Sequence, residues 1–299
     1  MAAEIKQLLA NVSEFEPLAK HCTYKIGGQA RYFISVKNEE ELLGAIKAAH
    51  EAGLVFYLIG QGSNILFPDE GLDGLVIKCE GIKTELLNKQ GECEDWEIWA
   101  GTPLAYVVKL FQERSLTGLE WASGIPGTVG GAVFGNAGSY VTEMQDRVES
   151  VKVFDMSRAE LKVLSKQDCT FAYRESIFKK EKNLIIVSVR LKATMGESEN
   201  IAKAVDKYLA DRMAKHQYDF PTAGSVFKNP PGNFAGALIE QCGLKGRVMG
   251  GAMIWDKHAN FIINKDAASA KDVLALGELA KSEVKKKFGI ELEYENIIL

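Results

Sequence analysis

The chain has 299 residues, of which 46% are hydrophobic and 25% charged, the composition of an ordinary globular protein. A net charge of -4 argues against a general nucleic-acid-binding protein, and no apolar run approaches the roughly 18 residues of a transmembrane helix. The five cysteines include no C-x-x-C pair, and the four histidines lack the spacing of metal ligands. We therefore expect a cytoplasmic protein with reduced thiols, no metal site and no membrane partner.

The first portion of the chain alternates helix and strand signals. Asn38 precedes Glu41 in a capping-box arrangement, and the apolar positions up to Gly53 predict a helix over 38–53. Short apolar runs predict strands at 55–59, 74–78 and 96–100. Thr102-Pro103 marks the start of a helix through Glu113. This alternation indicates an α+β or α/β domain.

Glycines follow the strand at 55–59 directly, in the segment GQGSN at 60–64. Glycines in that position let the backbone approach a phosphate closely. The Rossmann fingerprint would need a third glycine where Ile65 stands, and a helix after it. The segment therefore predicts a phosphate cradle of another kind. A tight turn built on Gly and Asn is the alternative that this stretch alone leaves open.

A second glycine-rich segment covers 118–140. Apolar residues such as Trp121, Ile125 and Phe134 alternate with its glycines, whereas a flexible linker would be polar and repetitive. This mixture indicates backbone packed tightly against a large, flat ligand. Two such loops in one domain imply a phosphate-bearing dinucleotide, and their size and shape do not separate a flavin from a nicotinamide.

Strand and helix signals continue to the C-terminus. Strands are predicted at 148–155, 183–192, 259–264 and 291–299, and helices at 199–215, 235–242 and 269–288. A polar, glycine-containing patch near residue 195 separates a strand from a helix. We place the domain boundary there, which gives a first domain over 1–195, with a lead-in over 1–20, and a second domain over 196–299.

Eight short motifs occur in a fixed order along nearly the whole chain. They are TYKIGGQA at 23–30, GQGSNIL at 60–66, SGIPGTVGGAV at 123–133, NAGSY at 136–140, YRESIFK at 173–179, AGSVFKNP at 223–230, KHANFIIN at 257–264 and LEYE at 292–295. Each motif alone is weak, but their joint presence in this order is specific. The chain resembles the UDP-N-acetylenolpyruvoylglucosamine reductases of bacterial cell-wall synthesis.

This resemblance implies an α+β fold with a vanillyl-alcohol-oxidase-like FAD-binding domain, followed by a smaller α+β substrate domain. It implies non-covalent FAD, NADPH as reductant, and reduction of UDP-N-acetylglucosamine enolpyruvate, a nucleotide sugar, to UDP-N-acetylmuramate. Nothing marks a covalent flavin tether, although His21 and Cys22 lie near the Gly27-Gly28 pair. We expect a monomer, because no exposed apolar heptad stands out.

The resemblance also implies which residues hold the cofactor. Hydrogen-bond donors to the FAD pyrophosphate are expected in the first loop, and the second loop would continue along the cofactor. The residues are Gly60, Gln61, Gly62, Ser63, Asn64 and Ile65, then Ser123, Gly124, Ile125, Gly127, Thr128 and Gly131.

Three residues match the family's catalytic positions. The resemblance makes Ser225 the proton donor, Arg174 the stabiliser of the substrate carboxylate and enolate, and Glu295 a second acidic partner. Residues so distant in sequence would have to meet where the two domains join. The substrate-binding positions implied by the resemblance are Tyr173, Asn229 and Lys215.

Several positions depart from the family pattern. The usual ending LEPEV carries Tyr294 and Asn296 in place of its Pro and Val, and KHQ replaces KQP at 215–217. Val141 follows NAGSY where Gly is usual, which is harmless only if the turn there needs no positive φ. The chain also lacks room for the tyrosine-bearing lid loop, which indicates the short class of the family.

Two other readings remain open from the sequence. The chain could be an FAD oxidase or dehydrogenase with a different small substrate, because one fold serves several reactions. It could also be a flavin-binding module that has lost catalysis. Arg174, Ser225 and Glu295 together argue against both.

Overall fold

The computed structural model describes residues 5, 8–9, 11–215 and 219–299, without the side chain of Lys215. Its contacts group the chain into two units. The first unit comprises 1–11, 34–61 and 77–212, and the second comprises 12–33, 62–76 and 213–299. The domain boundary near residue 195 stays a prediction. No helix among the described residues is long and apolar enough to cross a membrane.

Short strands outnumber helices in the described part of the chain. The strands are β1 (Ser13–Pro17), β2 (Gln29–Val36), β3 (Phe56–Ile59), β4 (Ile65–Leu66), β5 (Leu72–Cys79), β6 (Thr84–Gln90), β7 (Cys93–Trp99), β8 (Leu116–Thr117), β9 (Gly138–Ser139), β10 (Thr142–Glu143), β11 (Val148–Asp155), β12 (Glu160–Ser165), β13 (Leu184–Met195), β14 (Val248–Met249), β15 (Ala252–Ile254), β16 (Ile262–Asn264) and β17 (Ile297–Ile298). The helices are α1 (Glu39–Glu51), α2 (Leu104–Glu113), α3 (Val129–Phe134), α4 (Ile177–Lys180), α5 (Ser198–Lys215), α6 (Ala235–Gln241) and α7 (Ala270–Phe288).

A large antiparallel sheet organises the first unit, with the strand order β12-β11-β13-β7-β6. β13 lies at its centre and is mostly buried. Helix α2 packs into the same core through Leu104, Val107, Val108 and Phe111, the spacing of one helix face. The 118–140 segment contributes Trp121 and α3 to this core. Its apolar residues therefore contribute to the core, whereas its glycines lie partly in loops, as at 124 and 127, and partly within α3, as at 130 and 131.

The second unit contains the three-stranded antiparallel sheet β14-β15-β16 and the helix α7. Ser269 caps α7 in a capping box with Asp272, and Gly289 ends it at a φ of 70°. β4 and β17 pair in parallel, with Ile65 opposite Ile297. β1, β2, β5 and β3 form a four-stranded sheet in that order.

The predicted elements are mostly confirmed, and the differences have a common cause. Helix α1 begins after the Asn38 cap, as predicted. The predicted strand 291–299 is wrong, because only Ile297–Ile298 forms one, and the strand predicted at 259–264 shortens to β16. β6 and β12 were not predicted, since their residues are mostly exposed and show no buried alternation. The extent of these strands depends on their partners rather than on their own apolar pattern.

Candidate functional site

The first predicted cofactor loop begins in the first unit, where β3 ends at Ile59. A methyl group added to Gly60 would lie 2.6 Å from Oγ1 of Thr128, so the backbone there tolerates only glycine. The side-chain oxygen Oε1 of Gln61 accepts a hydrogen bond from the N–H of Gly127 at 3.0 Å. Gly60 and Gln61 therefore lie directly against Gly127 and Thr128, and the structure brings these parts of the two glycine-rich loops together.

The second loop is fixed by hydrogen bonds at both ends. Ser123 is buried, and its Oγ donates to the main-chain oxygen of Glu120 at 2.6 Å. Gly124 has a φ of 75°, a left-handed conformation that favours glycine. Thr128 caps α3 by accepting the N–H of Gly131 at 3.2 Å, and Ile125 packs against the unit's core. The predicted cofactor residues of this loop thus form one ordered turn leading into a helix.

Arg212 is a part of this region that sequence reasoning missed. Arg212 is buried, with 7% of the residue exposed, and its Nε donates to the main-chain oxygen of Ser123 at 3.0 Å. A methyl group on Gly124 would lie 2.9 Å from Cδ of Arg212, so the arginine packs on the glycine loop. No local sequence signal marks this role, because the bond to Ser123 joins residues 89 positions apart.

The rest of the first loop belongs to the second unit. Gly62 has a φ of 63°, and its oxygen accepts the N–H of Thr23. The side chain of Asn64 is engaged within the protein: Nδ2 donates to the oxygen of Glu295 at 3.0 Å, and Oδ1 accepts from Nδ2 of Asn296 at 2.8 Å. Ser63 lies between Gly62 and Asn64, and Ile65 is buried at the start of β4.

The first unit's part of these loops fits a dinucleotide on chemical grounds. Glycines at 60, 124 and 127 remove side chains from the loop surface, and two of these glycines have φ between 75° and 129°. The surrounding donors are main-chain N–H groups and hydroxyls, with the buried Arg212 guanidinium as the nearby cation. Such a set suits the two charges of a pyrophosphate and the uncharged ring of a flavin.

Cys22 does not have the properties of a covalent flavin tether. Its thiol is buried and donates to the main-chain oxygen of Ile26 at 3.2 Å. Burial raises the pKa of the Cys22 thiol, which disfavours the nucleophilic thiolate. Within the described residues no group of three or more His, Cys, Asp and Glu side chains could hold a metal ion.

Arg174 lies in a tight turn of the first unit. Ala172 and Glu175 exchange both main-chain hydrogen bonds, so Tyr173 and Arg174 form the two-residue tip. Arg174 has a φ of 55°, and its Nη2 donates to the oxygen of Gly138 at 2.8 Å. The guanidinium carbon lies 5.1 Å from the centre of the half-exposed Tyr173 ring. The structure brings these two predicted residues together, with the arginine fixed to a neighbouring hairpin.

That hairpin joins β9 to β10 through Tyr140 and Val141. Their φ angles are 54° and 61°, both left-handed, as in a type I′ turn. The turn therefore needs a positive φ at Val141. Valine in place of the usual glycine is thus not harmless there, because a branched side chain is strained at positive φ. Val141 is fully exposed, so burial does not compensate for this strain.

Tyr140 connects the hairpin to helix α5. Its hydroxyl donates to Oδ2 of Asp211 at 2.5 Å, and its ring centre lies 4.6 Å from that of Tyr208. Burial and the Asp211 carboxylate raise the pKa of Tyr140 to about 12. Neither Tyr140 nor Asp211 was predicted as a site residue, because their pairing across 71 positions leaves no local sequence signal.

The segments that contain Ser225 and Glu295 lie side by side in the second unit. Ser225 forms an isolated antiparallel bridge with Phe261, and the N–H of Glu295 donates to the oxygen of Val226 at 2.8 Å. Both side chains are partly exposed. The segments that carry the predicted proton donor and the predicted acidic partner therefore run next to each other, with Val226 as the bonded partner of Glu295, whereas Arg174 belongs to the first unit.

The remaining predicted substrate residues have different surroundings. Asn229 is exposed, and its Oδ1 accepts the N–H of Ala235 at 3.0 Å, at the start of α6. It therefore has a structural partner in addition to any ligand. Lys215 closes α5, and its side chain lies outside the described part of the chain.

Family models match both parts of the chain. Residues 30–165 match an FAD binding domain, and residues 216–299 match the C-terminal domain of UDP-N-acetylenolpyruvoylglucosamine reductase. Together with the loop geometry, the first match defines an FAD-binding oxidoreductase. The predicted fold class is confirmed: an α+β FAD-binding domain followed by a C-terminal α+β domain.

Full-length relatives specify the family. The chain is 39% identical to the UDP-N-acetylenolpyruvoylglucosamine reductase of Caldanaerobacter subterraneus over 93% of this chain and 90% of that protein. It is 42% identical to that of Caldicellulosiruptor saccharolyticus over 94% and 89%. The crystal structure of the Thermus caldophilus reductase matches with a TM-score of 0.77 and 34% identity, covering 96% of this chain and 98% of that one. The chain belongs to the UDP-N-acetylenolpyruvoylglucosamine reductase family.

Proposed function

We propose that the protein reduces UDP-N-acetylglucosamine enolpyruvate to UDP-N-acetylmuramate with NADPH, in bacterial peptidoglycan precursor synthesis. The observation that carries this proposal is that the segments containing Ser225 and Glu295 run next to each other, with the N–H of Glu295 donating to the oxygen of Val226, in a chain from this reductase family. Tyr173, Asn229 and Lys215 are the proposed contacts with the nucleotide-sugar substrate.

FAD, when bound, would pass a hydride equivalent from NADPH to C3 of the enolpyruvyl group. The first unit's glycines at 60, 124 and 127 would hold its pyrophosphate, with Ser123 and Thr128 beside them. Non-covalent binding is supported by the buried, high-pKa thiol of Cys22. The Asn64 amide is already bonded to Glu295 and Asn296, so we assign Asn64 to the cofactor through its backbone only.

Arg174 would stabilise the charge that builds up as hydride reaches C3. Negative charge then develops on the substrate carboxylate and its enolate oxygen. A guanidinium can bind both oxygens through two parallel, bidentate hydrogen bonds. The hydrogen bond from Nη2 to the oxygen of Gly138 fixes the plane of that group before substrate arrives. Preorganised charge of this kind acts most strongly in the transition state.

Ser225 would then deliver a proton to C2 and complete the addition. An unassisted serine hydroxyl is a weak acid, so its proton transfer depends on nearby groups that stabilise the alkoxide or replace the proton. Glu295 is the proposed acidic partner, and the bond between its N–H and the oxygen of Val226 holds its segment next to that of Ser225. The atoms balance: one hydride at C3 and one proton at C2 convert the enolpyruvyl group to a lactyl ether.

Stopped-flow absorbance under anaerobic conditions tests this reaction one half at a time. NADPH should bleach the flavin, and UDP-N-acetylglucosamine enolpyruvate should then restore the oxidised spectrum rapidly. Ser225→Ala should slow the second step by about 10²- to 10⁴-fold and leave the first unchanged. Ser165→Ala, which removes an exposed hydroxyl bonded to Asp168, serves as the matched control and should change neither step.

Three results would each reject part of the proposal. Flavin that is reduced but not reoxidised by this substrate would indicate another acceptor. Purified protein without bound flavin would contradict the assignment of both loops to the cofactor. Equal reoxidation by wild type and Ser225→Ala would remove the serine from the mechanism but leave the reaction standing.

A further inference from the structure

A buried side-chain amide adjoins the main chain of the two proposed catalytic residues of the second unit. Asn296 is 7% exposed, and its Nδ2 lies within hydrogen-bond distance of three oxygens. These are Oδ1 of Asn64 at 2.8 Å and the main-chain oxygens of Ala223 and Ser225, each at 3.1 Å. Main-chain oxygens only accept hydrogen bonds, so the amide must face them with its NH₂ group.

The partner amide completes the arrangement. Asn64 donates from Nδ2 to the main-chain oxygen of Glu295 at 3.0 Å, and its own main-chain oxygen accepts the N–H of Ile297 at 2.9 Å. We call Asn64 and Asn296 the amide pair. Together its two NH₂ groups bond the backbone oxygens of both Ser225 and Glu295, residues that are 70 positions apart in the sequence.

We propose that Asn296 is a positioning residue that holds the backbone of Ser225 in register with Glu295. This inference rests on the proposed function, which makes Ser225 the proton donor. Asn296 bonds neither reactive side chain; its partners are the side-chain oxygen of Asn64 and the main-chain oxygens of Ala223 and Ser225. It is one of the two residues by which the chain's ending departs from the family pattern.

The physical reason is that proton transfer tolerates little displacement of the donor. A misplacement of about 1 Å can cost on the order of 100-fold in rate, even when the reacting groups are intact. Replacing Asn296 by an apolar residue would leave the oxygens of Ala223 and Ser225 and the Asn64 amide without their donor. The buried segment would then shift to find other partners, since unsatisfied buried acceptors are costly.

The variant that tests the proposal is Asn296→Leu, because leucine removes the donor with little change in side-chain size. Reoxidation of reduced flavin by UDP-N-acetylglucosamine enolpyruvate should slow by about 10- to 100-fold. Reduction by NADPH should stay within twofold of wild type, because that step does not use Ser225. Flavin content per protein should be unchanged. Asn296→Ser, which keeps one donor, should give a smaller loss and also serves if the leucine variant does not fold.

Asn264→Leu is the matched control. Asn264 is also a buried amide of the second unit, with 8% exposed, and it donates to the oxygen of Tyr24 and accepts the N–H of Ala268. Its loss should lower the melting temperature as much as that of Asn296 but leave both half-reactions near the wild-type rates. If both variants slow both half-reactions equally, Asn296 is merely structural and the proposal is wrong.

A double variant separates positioning from any independent effect. In a Ser225→Ala background, Asn296→Leu should slow reoxidation little further, because the group that Asn296 positions is already gone. Fully multiplied losses would overturn the proposal. Wild-type enzyme that fails to reoxidise with this substrate would instead reject the proposed function, an outcome that the first mixing experiment identifies before any variant is made.

Discussion

Arg174 and Ser225, the two central residues of the proposed reaction, are held in place by different physical means. Arg174 stands at a φ of 55° and bonds to a hairpin whose tip residues, Tyr140 and Val141, are also left-handed. Ser225 forms a single isolated bridge with Phe261, and its left-handed neighbour is Gly224, where that conformation carries no steric cost.

The two regions differ in the free-energy cost that the fold must offset. Around Arg174 the cost is backbone strain at partly exposed residues, offset by a few side-chain hydrogen bonds. Around Ser225 the cost is the burial of two amides, offset because their NH₂ groups find acceptors. Substitutions in the first region should therefore change local strain, and substitutions in the second should leave buried polar groups unpaired.

The largest effect is expected at the guanidinium itself. Arg174→Lys keeps the charge but loses the planar fork and the fixed bond to Gly138, so reoxidation of the flavin by substrate should slow by about 10²- to 10³-fold. Stopped-flow absorbance measures this rate. Arg190→Lys, at an ion pair with Asp95 elsewhere in the first unit, is the control and should leave the rate unchanged. A rate near wild type for Arg174→Lys would show that charge alone suffices.

Tyr140→Phe should have the next largest effect, because it removes the bond that ties the strained hairpin to Asp211. We expect a loss of about 1–2 kcal/mol in the free energy of unfolding at pH 7, measured with urea. We also expect a several-fold slower reoxidation, since Arg174 is bonded to the same hairpin. An unchanged unfolding free energy would mean that strain around Arg174 is held by other contacts.

The pH dependence of this pair has a definite sign. The pKa of Tyr140 rises from its ordinary value of 10 to about 12 in the folded protein. A raised pKa means that the stabilisation is fully present below pH 10 and is lost as the pH rises toward 12. The difference in unfolding free energy between wild type and Tyr140→Phe should thus be constant from pH 7 to 9 and shrink above pH 10. A difference that grows with pH would contradict the assignment.

Val141→Gly should make the protein more stable. Glycine adopts a φ of 61° without the clash that a branched side chain suffers, and the exposed valine loses no burial. The expected gain is about 1 kcal/mol in the free energy of unfolding. Gly44→Ala, in the exposed middle of α1 with open space around it, should also stabilise, but through helix propensity instead. A destabilised Val141→Gly protein would show that the turn is not strained.

The smallest effect is expected in the second unit, at Tyr294. Its ring stacks on Phe227 with centres 4.9 Å apart, while its hydroxyl bonds the exposed Glu278. Tyr294→Phe keeps the stacked ring and loses only the surface bond, so the unfolding free energy should fall by less than about 1 kcal/mol. A larger loss would mean that this region, too, depends on bonds made at the surface.

Some features could be predicted from sequence because their physical causes are local, such as the Asn38 cap of α1, which involves Glu41 three positions later. The glycines at 60 and 124 were also found from the sequence, but the side chains that exclude a methyl group there, Thr128 and Arg212, are distant in the chain. Arg174, Ser225 and Glu295 were identified by motif matches, and their roles remain proposals. The terminal strand was predicted too long, because strand extent depends on a partner strand that the sequence does not show.

By itself, the sequence determined the family, the α+β class with its FAD-binding domain, and the identity of the chemical groups. Only the tertiary structure decided that Asn64 bonds Asn296 across 232 positions, that Tyr140 bonds Asp211, and that Val141 stands in a left-handed turn. The reason is that caps and periodicities follow from neighbouring residues, whereas bonds between distant residues depend on the path of the whole chain. Asn296 was visible in the sequence only as a departure from a pattern; its three acceptors emerged from the fold.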